Sequence, residues 1–117
     1  MIPQIDFLPL IEKQKNVAFR NTREADSYFS DCVNAIYDTY DAICELDTDI
    51  KKLPTDQVQT TLIYLEQIKP LVTQFLDLLA DMDFDCKNHD RLNSMLSDLE
   101  KDLPGAITKL QKMAKQD

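Results

Sequence analysis

The sequence predicts an all-α protein, an up-down bundle of three long amphipathic helices with a short helix at the N-terminus. Three observations carry this. Apolar residues recur at helical spacing along most of the chain. Only one glycine, Gly105, occurs in 117 residues, and hairpin dipeptides and strand-type alternation are missing, so a sheet has little support. Prolines and capping residues fall where helices of a bundle begin and turn. The length suits one domain, residues 1–117, with a modest single core.

The N-terminal arm, residues 1–20, holds Ile2, Ile5, Phe7, Leu8, Leu10 and Ile11 in close succession. Asp6 suits the cap of a first helix, with Pro9 tolerated in its first turn. Asn21, followed three residues later by Glu24, reads as a capping pair for a second helix. A break is therefore expected between Asn16 and Thr22. Phe7, Ile11, Ala18, Ala25 and Phe29 nevertheless keep a single helical phase across it. So apolar an arm has to be buried, on its own bundle or on a second chain.

Residues 22–52 read as the next helix. Ala25, Phe29, Cys32, Ile36, Tyr40, Ile43 and Ile50 make its inner face, with Val33, Tyr37 and Cys44 on one shoulder and Tyr28 and Leu46 on the other. The opposite face is acidic: Asp31, Asp38, Asp41 and Glu45. Lys51 and Lys52 suit its C-terminus, and Pro54 marks the turn.

The most apolar stretch follows, a helix over residues 55–84, and the rest of the chain is expected to cover it. Val58, Leu62, Leu65, Ile68, Val72, Phe75, Leu76 and Leu79 share one face. Tyr64, Leu71, Leu78 and Met82 form a second strip beside it, and Ile63 points away. Two adjoining stripes imply contact from two directions. Pro70 falls among polar residues and leaves the apolar phase unchanged, which predicts one kinked helix with the proline toward water.

The last helix, residues 90–115, is expected to start at an Asp90 cap. Leu92, Leu96, Leu99, Leu103, Ala106, Leu110 and Met113 step alternately by four and three, a narrow coiled-coil-like seam with Pro104 opposite. Early acids and late lysines suit the helix dipole. Residues 55–83 and 89–117 share eight identities in 29 aligned positions, which reads as two amphipathic helices of similar composition, since two units are too few for a solenoid.

Composition excludes several functions. A net charge of −8 argues against direct binding of nucleic acid or anionic lipid, which need a basic face. No run of 18 apolar residues is present, and the N-terminus has no basic region, so neither a membrane span nor a signal peptide is expected. Three cysteines, Cys32, Cys44 and Cys86, cannot form a full disulfide framework. Cys32 and Cys44 lie roughly 18 Å apart on one helix. Reduced thiols and a cytoplasmic setting are expected.

Motifs for chemistry are incomplete. Cys86 and His89 have ligand spacing, but no second Cys/His pair exists to close a zinc site. Asp81, Asp83 and Asp85 alternate like a calcium loop, yet Cys86 and Leu92 stand where glycine and glutamate are diagnostic. No cofactor is expected. The sequence is read as a protein–protein interaction module of adaptor, regulatory or chaperone-like type, without catalysis. Its contact residues are Ile2, Ile5, Phe7, Leu8, Leu10, Ile11, Tyr64, Leu71 and Leu78, and its partner is another protein, with a second copy of itself favoured. Two alternatives stand beside this. One is a magnesium-dependent nucleotide or pyrophosphate hydrolase using Asp38, Asp41 and Glu45 against Asp77 and Asp81. The other is an acidic inhibitor that mimics nucleic acid through Asp31, Asp38, Asp41 and Glu45.

Overall fold

Each predicted helix forms, and its ends follow from local hydrogen bonds. The computed structural model describes residues 2–82 and 85–115, without the side chains of residues 47–49. Helix α1, Phe7–Asn16, starts where the Asp6 carboxylate accepts the Leu8 N–H at 3.0 Å. It ends at Val17, whose backbone is extended. Helix α2, Thr22–Asp49, starts where the Asn21 side chain accepts the Glu24 N–H at 2.9 Å. The break between α1 and α2 is thus real. After Asp49 the chain tightens into a 3₁₀ turn, Ile50–Lys52, closed by the Leu53 N–H on the Ile50 carbonyl.

Helix α3, Thr55–Ala80, stops short of residue 84. The Asp81 N–H folds back to the Asp77 carbonyl and the Met82 N–H to that of Leu79, the usual tightening of a last turn. Phe84 lies outside the described residues. Helix α4, Lys87–Lys115, begins before the expected Asp90 cap, because α2 supplies an acceptor for its first turn. Pro70 and Pro104 are exposed within continuous helices, where the missing hydrogen bonds face water.

The helices run up-down-up-down along a rod of 54 × 21 × 19 Å. Helices α2 and α4 are parallel, since Asp26 meets Asn88, Tyr40 meets Asp98 and Cys44 meets Asp102. Helix α3 is antiparallel to α4, with Thr73 on Glu100 and Gln111 on Glu66. Helix α1 lies along α3, Ile5 against Tyr64 and Gln14 against Met82. Helix α4 joins α2 to α3, packing on both, while α2 and α3 share few backbone contacts and α1 packs on α3. It does so with a wider face than the predicted seam. Met95 on one side and Ile107 on the other are buried beside Leu92, Leu96, Leu99, Leu103 and Leu110. The core also holds Phe7, Phe29 and Phe75, all fully buried. Truncating any of these rings to alanine costs roughly 3–5 kcal/mol. No helix among the described residues is long and apolar enough to cross a membrane.

Candidate protein-interaction site

The arm is held to the bundle by its backbone as well as by apolar contacts. Residues 2–5 have no helical hydrogen bonds of their own, so their carbonyls need outside donors. Thr39 of α2, fully buried, donates from its hydroxyl to the Pro3 carbonyl at 2.6 Å. Tyr64 of α3 donates to the Ile5 carbonyl at 2.8 Å. Burial pushes the Tyr64 hydroxyl up to about 12, so it stays a neutral donor. Phe7, Ile11 and Gln14 turn inward along α1, and the Gln14 amide donates to the Met82 sulfur.

Where the arm meets α3, an open groove of about 500 Å³ remains. Ile5, Phe7 and Leu8 line it from the arm and Tyr64, Ile68 and Leu71 from α3, with the amides of Gln4 and Gln67. Five residues expected at an interface (Ile5, Phe7, Leu8, Tyr64 and Leu71) are thus brought together by the fold. Their parts differ. Phe7 and Tyr64 are buried walls, Ile5 and Leu71 are half-buried, and Leu8 is 50% exposed. Of the remaining four, Ile2 and Ile11 are spent on the core of this chain, and Leu10 and Leu78 pack half-buried against it. Gln67 was missed, although it lies three residues after Tyr64 and four before Leu71, on the same strip.

The acidic residues Asp31, Asp38, Asp41 and Glu45 are all exposed on the outer side of α2. This helix holds eight of the 21 acidic residues and one of the 13 basic ones, so it carries −7 of the net −8. Tyr37, 45% exposed, stands among them one turn before Asp41. Along the junction with α4 the Tyr40 hydroxyl donates to Asp98 at 2.8 Å and the Cys44 thiol to Asp102 at 3.6 Å. The Asp98 carboxylate, then burial, raises the Tyr40 hydroxyl above its ordinary range. Burial, followed by Asp102, pushes the Cys44 thiol up to about 11. Cys44 is therefore a protonated donor and a poor nucleophile.

The candidate metal and nucleophile positions are otherwise occupied. His89 donates from Nε2 to the Leu79 carbonyl at 3.1 Å and sets its ring edge-on to Phe29, with centroids 5.2 Å apart. Its Nδ1 is 3.7 Å from Asp90. Burial raises the Cys86 thiol. Among the described residues, no three histidine, cysteine or acidic side chains converge as a metal site would require. Asp83 of the calcium-like alternation lies outside the described residues. Asp77 on α3 and Asp81 just after it are exposed, and few backbone contacts join α3 to α2.

No family model, curated protein or solved structure matches the chain.

Proposed function

We propose that the chain is a non-catalytic protein–protein interaction module, of adaptor, regulatory or chaperone-like type, that receives an apolar segment of another protein in the groove between the arm and α3. The observation that supports this is the lining of the groove. Leu8, Ile5 and Leu71 offer accessible apolar surface, and Gln4 and Gln67 offer amide donors and acceptors, the mixture that fixes a bound segment by shape and a few polar contacts. Acid–base chemistry has little to work with there. The one carboxylate, Asp6, is bound to the first turn of α1, and Tyr64 is held as a neutral donor.

A photo-cross-linking residue at position 8 tests the reading in native extract. The expected result is one dominant adduct, lost on Leu71→Asp in a chain that keeps its helical circular dichroism. Adducts that form equally well with Leu71→Asp would remove the groove from the interaction.

The charge of α2 favours a second reading, an acidic face that occupies a basic cleft in its target, as a mimic of nucleic acid does. Such binding weakens steeply with salt, because exposed charges are screened over about 8 Å at physiological ionic strength. Binding that survives high salt would leave the groove as the better account.

A further inference from the structure

We propose that α1 is an exchangeable arm: in a two-fold dimer residues 17–21 become helical, α1 and α2 fuse into one helix, and each copy's α1 lies on the other's α3. The argument starts from phase. Counted through as one helix, the buried residues of α1 (Phe7, Ile11, Gln14) fall inside the stripe of the buried residues of α2 (Ala25, Phe29, Cys32, Val33, Ile36, Thr39, Ile43, Leu46), which spans about 140°. Two helices separated by a real break have no need to share a phase. Ala18, in the connector, is exposed in the closed chain, and it falls within the same stripe. Residues 17–21 are Val-Ala-Phe-Arg-Asn, with no glycine or proline to oppose a helix. A fused helix over residues 7–49 would be about 64 Å long at the helical rise, longer than the 54 Å rod.

The occupant of the vacated α3 surface follows from identity. Once α1 swings out, it exposes Phe7 and Ile11 and leaves the Tyr64 strip bare. A second copy's arm carries the same Pro3 and Ile5 carbonyls for Thr39 and Tyr64. In the closed chain α1 runs antiparallel to α2, so a fused helix projects past the N-terminal end of α2. Two copies meeting end to end there place each α1 antiparallel to the other's α2, as in the closed form. The pair closes on itself, as a two-fold exchange must.

The closed form has its own support. A short connector holds α1 near α3 at an effective concentration of about millimolar. The Asn21 cap and the contacts of Phe19 with Tyr28 and Phe29 also favour the break. The dimer gains the helical hydrogen bonds of the connector, so exchange belongs to high protein concentration.

The experiment uses the full chain, equilibrated in mild denaturant and refolded at high micromolar concentration. Sedimentation velocity is expected to show a dimer that grows with concentration. In that dimer the amides of residues 18–21 are protected from hydrogen exchange, and in the monomer they are not. Ala18→Pro is expected to stay monomeric and helical at every concentration. The preceding Val17 already has φ −81° and ψ 141°, the extended backbone that a following proline requires. An intact chain that remains monomeric, a dimer whose connector amides exchange freely, or an Ala18→Pro chain that dimerises as well as the parent would each overturn the proposal. The exchange is independent of partner docking in the groove, which is read at position 8 of the monomer.

Discussion

The carboxylate of Asp26, on the first turns of α2, accepts the backbone N–H of Asn88, the second residue of α4, at 3.0 Å. The Asn88 amide adds a bond to the same carboxylate at 3.1 Å. One helix thus caps another across 62 residues of sequence. The Asn88 backbone N–H holds the Asp26 carboxyl below its ordinary value of 3.8. A carboxyl whose folded pKa is depressed binds more protons when unfolded, so its stabilisation is present above the unfolded pKa and is lost as pH falls through the folded one. Asp26→Ala is expected to lower the melting temperature at neutral pH. The acid limb of its stability profile should be shallower than that of the parent, and parallel acid limbs would count against the cap.

The arm is expected to loosen before the bundle does. Thr39→Val and Tyr64→Phe each remove a donor from an arm carbonyl, at a cost of about 1 kcal/mol apiece. The two hydroxyls also interact with each other, so the double variant should depart from additivity. Hydrogen exchange of the α1 amides is the sensitive readout. Faster exchange across α4 instead would mean that these bonds hold the core rather than the arm.

Pro70 and Pro104 should prove dispensable. Each leaves the carbonyl four residues earlier without its helical partner, and each faces solvent. Replacement by alanine restores the bond and a better helix former. Denaturant melts are expected to show no loss or a gain. A loss above about 2 kcal/mol would mean that the packing needs the bend.

Gly105 offers a separate gain. It sits within α4, its φ is not positive, and a Cβ built there meets nothing within 4 Å. Gly105→Ala is expected to stabilise the protein by roughly 0.5–1 kcal/mol through the entropy of the unfolded chain. A destabilised variant would reveal a neighbour at that surface.

Magnesium should leave stability unchanged. A cation bound only by the native state raises the melting temperature by mass action. The acids of α2 are exposed, and among the described residues no three histidine, cysteine or acidic side chains converge on them. Thermal melts with and without millimolar magnesium or manganese are expected to coincide. A shift abolished by Asp41→Ala would restore the hydrolase reading.

What could be read in advance was what depends on near neighbours. Asp6 and Asn21 cap helices two and three residues away, so their roles are written locally. The steps from Leu92 to Leu110 predict a buried stripe through periodicity alone. Nothing local marks Thr39 and Gln14 as buried, because their partners, Pro3 and Met82, are distant in sequence. The early start of α4 was hidden for the same reason, since its acceptor is Asp26. Met95 and Ile107 escaped because a seven-residue seam assumes one partner helix, whereas α4 is gripped from two sides. For the groove, the apolar residues were named one by one. Their meeting with Gln4 and Gln67 depended on where the arm came to rest.

Because α2 and α3 are joined mainly through α4, the order of biosynthesis matters. As the chain is made, α2 and α3 emerge with their apolar faces turned toward a helix that does not yet exist. They share few backbone contacts with each other in the finished fold, so each lacks its main partner. Closure must wait for residues 87–115, and until then the nascent chain presents Phe29, Ile36, Leu65 and Phe75 to whatever holds it. The last turns of α4 belong to that closure, since Leu110 is fully buried there. A ribosome stalled before those turns are made carries a client for chaperones rather than a partly folded domain.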